Sequence, residues 1–145
     1  TSEGVFVSQW GTEGTGDGEF QEPEGVAVAS DGSVYVVDAL NNRIQKFTSE
    51  GAFVSQWGTE GTGDGEFSWP LGVSVASDGS VYVADFSNHR VQKFTSEGVF
   101  VSLWGTEGAG DGYFRQARAV AVASDGSVYV ADYSNNRIQK FLPGP

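Results

Sequence analysis

The sequence repeats with a period of 47 residues, and this period constrains the fold more than any other feature. Residues 1–47, 48–94 and 95–141 align without a gap; the first two copies share 37 of 47 positions and the last two share 34 of 47. The tail "LPGP" follows at 142–145. A fixed period of this length indicates one supersecondary unit whose copies bury their apolar surfaces against each other.

Each repeat carries four short segments in which apolar and polar residues alternate, and Val, Tyr and Phe dominate the apolar positions. Such segments favour strands over helices. In the first unit we predict strands at 25–30, 33–38, 43–47 and 53–57. The dipeptide "DG" predicts a tight hairpin turn between the first two strands. Gly51 serves the same purpose between the last two.

Four antiparallel strands per period of this length are typical of a β-propeller blade. Residues 63–94, "GDGEFSWPLGVSVASDGSVYVADFSNHRVQKF", resemble an NHL repeat, with its Gly-x-Phe-x-x-Pro-x-Gly-Val start, Tyr-Val-x-Asp centre and Asn-x-Arg end. The resemblance extends to all three copies and implies an all-β propeller of four-stranded blades. The third copy departs from the pattern, since Ala117 replaces proline and Ala119 replaces glycine. We expect a looser start to that blade.

The strand order predicts an incomplete ring. The chain begins with an outer fourth strand at 5–10, continues through two complete blades and ends after a third strand at 137–141. The resemblance implies rings of about six blades, so we expect residues 1–141 to be a half-propeller. We predict a homodimer by strand exchange, in which the amino-terminal strand of each chain completes the last blade of its partner. A fragment of a longer natural propeller and a designed three-repeat segment are the alternatives.

Composition argues against several partners and chemistries. Nineteen acidic against eight basic residues give a formal net charge of −11, which repels nucleic-acid phosphates and anionic membranes. No apolar run is long enough to span a bilayer. The chain has no Cys, which excludes disulfides, thiolate catalysis and Cys-based zinc sites. A single His makes a poor metal site, so we expect no metal and no cofactor. No segment identifies a cellular compartment.

The repeats differ mainly in two connections, from strand two to strand three and from strand four to the next strand one. Both lie on one side of a propeller, called here the loop face. Divergent loops on a rigid scaffold are typical of a binding surface, although relaxed constraint produces the same pattern. The candidate ligand-binding residues on this face are Trp69, Phe86, His89, Tyr113, Arg115, Arg118 and Tyr133. Aromatic rings suit sugars or peptide side chains, and arginine suits a carboxylate. Trp69 and Phe86 are alternatively packing residues between blades.

Other polar patterns have structural interpretations. An aspartate precedes an arginine by five residues in every repeat, and we predict ion pairs that brace a turn, because equivalent carboxylates lack the asymmetry of acid and base catalysis. These residues are Asp38, Arg43, Asp85, Arg90, Asp132 and Arg137. His89 replaces Asn42 and Asn136, so we interpret it as a surface substitution. The glycines at 11–20 lack the spacing of a phosphate-binding or calcium-binding loop and favour turns.

These observations predict a protein that is not an enzyme. We expect a binding or scaffold propeller for a protein, peptide or glycan. The second hypothesis is a purely structural, recently amplified or designed repeat protein that assembles without a ligand. The third is a hydrolase or lyase that depends on His89. The family resemblance includes metal-dependent lyases and RNA-binding platforms, but one His and the acidic charge argue against both.

Overall fold

The computed structural model describes residues 3–142, which are almost entirely β-structure and loops. The strands are β1 (Thr12–Glu13), β2 (Glu19–Phe20), β3 (Pro23–Val28), β4 (Val34–Asp38), β5 (Arg43–Phe47), β6 (Phe53–Trp57), β7 (Pro70–Val75), β8 (Val81–Asp85), β9 (Arg90–Phe94), β10 (Phe100–Trp104), β11 (Ala117–Val122), β12 (Val128–Asp132) and β13 (Arg137–Phe141). Short 3₁₀ turns occupy Phe86–Asn88 and Tyr133–Asn135. Within the described range, no helix has the length and apolarity needed to cross a membrane.

The longer strands form three antiparallel sheets, which confirms the prediction of propeller blades. Blade 1 has the order β3-β4-β5-β6, blade 2 has β7-β8-β9-β10, and blade 3 has β11-β12-β13. The third and fourth strands of blade 1 have the predicted bounds, while its first strand begins two residues earlier than predicted, at Pro23. The small parallel pair β1-β2 was not predicted from the sequence; it lies inside the glycine-rich connection.

Each complete blade takes its outer strand from the following repeat. Thus β6 belongs to the second repeat but pairs with β5 of the first. Blade 3 ends at β13, which pairs with β12 alone among the described strands. Residues 3–11 form no regular secondary structure, so the strand predicted at 5–10 does not form within a single chain. Strand exchange with a second chain stays a prediction, and the predicted tail lies outside the described residues except for Leu142.

The apolar cores lie between blades. Val37 and Ile44 of blade 1 pack with Phe67 and Val81 at the blade 2 side, and an equivalent cluster joins blades 2 and 3. The first strands β3, β7 and β11 lie side by side along the inner edge. Glycine is required there, because a Cβ on Gly72 would stand 2.8 Å from the Arg118 carbonyl oxygen.

The third blade begins with the same geometry as the others despite its substitutions. β11 has six residues, like β3 and β7, and it has an equivalent register irregularity between Ala117 and Ala119. The expected loosening is therefore not visible in the strand itself.

Candidate functional site

Two of the predicted aromatic residues meet on the loop face at the start of blade 2. Trp69 directly precedes β7 and is 45% exposed, whereas Phe86 is buried at the end of β8. Their ring centroids lie 6.2 Å apart in an edge-on arrangement, which is a favourable geometry for aromatic pairs. Phe86 also packs against Leu71 and Ala39. It therefore supports the exposed indole from below.

The same cluster continues into blade 3. The ring of Tyr133 lies 6.1 Å from Phe86, and the guanidinium carbon of Arg118 lies 5.3 Å from the centroid of Tyr133. This distance is within the range of a cation–π contact. Trp69, Phe86, Tyr133 and Arg118 form a continuous cluster of contacts across two blades, called here the aromatic ridge. The structure thus joins four of the seven predicted ligand-binding residues.

Trp69 has an unusual backbone conformation for a bulky residue. Its φ is 48°, in the left-handed region, and Glu22 and Gln116 have the same conformation at the equivalent positions of the other repeats. The Trp69 amide donates a hydrogen bond of 2.8 Å to Oδ1 of Asn42 in the preceding blade. Left-handed conformations are costly for bulky residues and cluster at functional sites. The turn itself does not require tryptophan, since glutamate and glutamine also form it.

His89 lies outside the ridge and joins two blades. Its Nδ1 accepts a hydrogen bond of 2.9 Å from the backbone amide of Gln116, just as Asn42 accepts one from Trp69. Its Nε2 lies 3.9 Å from Oε2 of Glu107. Histidine and asparagine therefore have the same role at this position: each accepts a hydrogen bond from a backbone amide in the loop of the next blade. The variation between them in sequence does not reveal this role, because the donor is a backbone group 27 residues away.

The remaining two candidates are exposed but separate from the ridge. Tyr113 and Arg115 precede β11, and Tyr113 is half-exposed. The backbone amide of Arg115 donates to Oδ1 of Asp132 at 2.8 Å. Neither side chain takes part in an aromatic or cation–π contact among residues 3–142. Both remain candidates only by their exposure on the loop face.

Each aspartate and arginine pair organises a glycine-rich connection. In the first repeat, Nε of Arg43 lies 2.7 Å from Oδ2 of the buried Asp38. The Arg43 Nη1 group donates to the carbonyl of Thr15 at 2.9 Å, and Nη2 donates to those of Gly16 and Glu19 at 2.9 Å each. The pairs Asp85–Arg90 and Asp132–Arg137 have the same contacts, at 2.8 and 2.7 Å. A charge-assisted network of this kind holds the loop in one conformation.

Further polar groups complete this network. The Gln45 side chain donates to the Glu19 carbonyl at 2.6 Å, and the Gln21 amide donates to Oδ1 of Asp38 at 2.7 Å. Asn41 donates to the other carboxylate oxygen at 2.9 Å. Both oxygens of Asp38 are therefore occupied. The sequence signal for these roles was the identity of Asn, Arg and Gln at these positions in all three repeats.

The pKa values of two of these carboxylates, Asp85 and Asp132, are shifted in opposite directions. Burial raises the pKa of Asp85, which lies in the middle blade, despite hydrogen bonds from the Ser68 amide, Asn88 and Arg90. Burial also acts to raise the pKa of Asp132, but hydrogen bonds from Asn135, Arg137 and the Arg115 amide outweigh it and lower that pKa. The physical cause is the open side of blade 3, where less protein surrounds the carboxylate. Within residues 3–142, no group of three His, Asp or Glu side chains is arranged to hold a metal ion.

A family model described as "NHL repeat" matches residues 20–47, 67–94 and 114–141, more than half of the chain. The chain belongs to the NHL repeat family. Each matched NHL segment runs from the phenylalanine at the end of the glycine-rich connection to the end of the third strand, so it contains one aspartate and arginine pair. The whole aromatic ridge lies within the second and third NHL segments.

Solved structures resemble this NHL-repeat chain in fold. A protein of unknown function from Bacteroides thetaiotaomicron has a TM-score of 0.69 and 20% identity over 81% of this chain and 34% of its own. Hydrazine synthase from Kuenenia stuttgartiensis has a TM-score of 0.62 and 12% identity over 90% and 32%, respectively. Virginiamycin B lyase from Staphylococcus aureus has a TM-score of 0.56 and 14% identity over 83% and 41%.

These similarities concern the fold alone, because all the identities are low. The NHL-repeat chain spans about a third to two fifths of the length of these structures. No curated protein sequence matches it significantly.

Proposed function

We propose that this NHL-repeat chain is a non-catalytic binding or scaffold module that holds a protein, peptide or glycan on its loop face. The observation that carries the proposal is Trp69, a large aromatic residue that is 45% exposed in a left-handed conformation that the other repeats form with polar residues. A strained, exposed indole that the turn does not need is explained by contact with a ligand.

The chemistry of the aromatic ridge suits such a ligand. The edge-on contact between Trp69 and Phe86 holds the indole in position, which lowers the entropy lost when a ligand packs against it. Exposed rings bind sugar faces or apolar side chains. Arg118, stacked over Tyr133, has further donors for a carboxylate. The chain as a whole is acidic, so this guanidinium gives one end of the ridge a local positive charge. That charge favours a negatively charged group on the ligand.

The absence of catalysis is part of the proposal and has its own support. The single His uses Nδ1 to accept the Gln116 amide, and the Asp38 carboxylate is bound to Arg43 and to loop amides. Groups engaged in this way are poorly available for proton transfer. The chain has no Cys nucleophile.

Replacing Trp69 with glutamine tests the proposal. Gln116 has the same left-handed conformation at the equivalent position, so we expect Trp69→Gln to fold normally and to lose binding. Arrays of peptides and glycans would identify a ligand for the unmodified protein, and titration would then compare the two forms. Loss of a buried aromatic contact predicts an affinity at least about tenfold lower. Glu50→Gln, in the invariant turn on the opposite side, is the control and should bind normally.

The second candidate is a purely structural protein without a ligand. It is favoured by the identity of 37 of 47 positions between the first two repeats, since loops adapted to a ligand diverge further. An array without any signal above background, together with equal thermal stability in the presence of every candidate, would contradict the binding proposal and support this one.

A further inference from the structure

The two ends of the half-propeller expose apolar surfaces that are buried wherever the repeat recurs internally. Val26 of blade 1 is 66% exposed, but its equivalent Val73 is 7% exposed. Ile138 of blade 3 is 67% exposed, but its equivalent Ile44 is 0% exposed. Burying a side chain of this size contributes about 1.5–3 kcal/mol. The exposed positions lie on opposite sides of the molecule, since one belongs to the first blade and the other to the last.

The two exposed surfaces are complementary halves of one interface. Between blades 1 and 2, Tyr35 and Ile44 pack with Val73 and Val81. Two repeats further along the chain, the residues equivalent to Tyr35 and Ile44 are Tyr129 and Ile138 in blade 3. One repeat earlier, the residues equivalent to Val73 and Val81 are Val26 and Val34 in blade 1; Val26 is exposed, whereas Val34 is already largely buried within its own blade. The third copy of this core is therefore present in the chain as two separated halves.

The unpaired strand edge has an equally specific complement. β13 has the sequence "RIQKF", identical to β5, and residues 6–10 have the sequence "FVSQW", identical to β6. In blade 1 these two sequences pair as neighbouring strands. Trp10 already packs against Phe47 with ring centroids 5.8 Å apart, which repeats the contact of Trp57 with Phe94. One end of the segment is thus anchored, while Val5 and Val7 remain exposed.

Polar groups at the ends agree with the same arrangement. Asn136 is equivalent to Asn42 and His89, which accept the amides of Trp69 and Gln116. Asn136 is the third acceptor of this series. The equivalent donor that remains is the backbone amide of Glu22, at the opposite end of the chain. Glu22 lines an open cleft of about 570 Å³ beside Trp10, Gly11 and Pro23. At the two internal interfaces, the Asn42 and His89 carbonyls approach the equivalents of Gly11.

We propose that a second copy of this chain covers both ends, with residues 5–10 of each copy paired to β13 of the other. Blade 3 of one copy packs against blade 1 of its partner, and the second contact repeats the first. Propellers have about 4–8 blades, and three blades per chain give a ring of six with two copies. The exposed apolar surfaces and the free strand edge are all covered in this ring.

Cysteine pairs test the strand pairing directly, because the chain has no Cys of its own. Lys46 and Ser55 are directly opposed in β5 and β6, and opposed residues in antiparallel strands are close enough for a disulfide. The equivalent pair in the proposed ring is Lys140 of one copy and Ser8 of the other. We expect the double variant Ser8→Cys, Lys140→Cys to oxidise to a covalent dimer. The control, Lys46→Cys with Ser55→Cys, should oxidise within one chain.

Denaturing electrophoresis without reductant, followed by mass spectrometry of the linked peptides, distinguishes the outcomes. A product of twice 15.4 kDa joined at positions 8 and 140 supports the ring. A disulfide between these positions within one chain overturns it, as do two free thiols under conditions that fully oxidise the control. Higher oligomers joined in the same way would contradict closure by two copies.

A charge in the apolar interface provides a second test in native solution. Ile138→Asp should not impair the fold of a single chain, because the side chain is exposed there, but it would bury a charge in the ring. Native mass spectrometry should show the dimer for the unmodified protein and for the control Val101→Asp, whose position is exposed on an outer strand. We expect the dissociation constant of Ile138→Asp to rise at least about a hundredfold. A folded monomer of the unmodified protein, or equal dimerisation of both variants, would contradict the proposal.

Discussion

The hydrogen bond between His89 Nδ1 and the Gln116 amide shows why this position alternates between histidine and asparagine. Both side chains offer an acceptor at the same distance from the backbone, whereas alanine offers none. We predict that His89→Ala lowers the free energy of unfolding by about 1 kcal/mol and that His89→Asn leaves it nearly unchanged. Urea denaturation measures both values. Equal stability of the two variants would show that the acceptor is unimportant.

At the level of single residues, the sequence was sufficient to identify candidate residues but not the contacts that they make. Comparison of the repeats found Trp69 and Tyr133 as variable aromatic residues, because a difference between copies is visible without a structure. Their connection through Phe86 was not predictable, since it depends on how closely two blades approach. The carbonyl groups bound by Arg43 were missed for the same reason. An arginine that is identical in each repeat signals a structural role, but its partners are distant backbone atoms.

At the level of secondary-structure elements, the hairpin turn between the first two strands of each blade contains a titratable aspartate. Asp31 accepts a hydrogen bond of 2.9 Å from the Ser33 amide, which lowers its pKa below the usual value of 3.8. Asp78 and Asp125 have the same bond and the same direction of shift. Because each folded pKa lies below its unfolded value, the stabilisation is present above about pH 4 and is lost as the pH falls through the folded pKa.

Carbon-detected NMR titration should therefore give midpoints below 3.8 for these three carboxylates. Asp31→Asn should remove the titration at this position and keep an acceptor for the turn. Midpoints at or above 3.8 would mean that the amide bonds do not form in solution.

The elements themselves were largely predictable from alternation and turn residues. The strands at 43–47 and 53–57 have the expected bounds, because both strands read as short apolar alternations next to clear turn signals. The early start of β3 at Pro23 was missed, since proline is disfavoured in strand interiors and this one begins a strand with an irregular register. The fourth strand predicted at 5–10 does not form among residues 3–142, and its pairing with a second chain stays a prediction.

For the whole molecule, we expect Ala119 to limit how closely the proposed ring closes. A Cβ on Gly25 would stand 2.7 Å from the Leu71 carbonyl oxygen, and one on Gly72 would stand 2.8 Å from that of Arg118. In the proposed ring, Ala119 brings a real Cβ to the equivalent carbonyl, that of Glu24 in the partner. We therefore expect the two interfaces between chains of that ring to be wider than those within a chain.

We predict that Ala119→Gly strengthens the dimer, because it removes this close approach at both interfaces. The dissociation constant should fall at least about tenfold, or about 1.4 kcal/mol. Analytical ultracentrifugation in dilute solution measures it, with the exposed turn variant Ala52→Gly as control. A dimer that is weakened or unchanged by Ala119→Gly would argue that β11 and β3 do not meet across chains.

The offset between repeat and blade has a consequence for how such proteins change length. Since every outer strand comes from the following unit, gaining or losing 47 residues always regenerates the same two termini. A gene that duplicates or deletes one unit would thus change the number of chains needed to close the proposed ring, while the proposed exchange of strands between chains would stay the same.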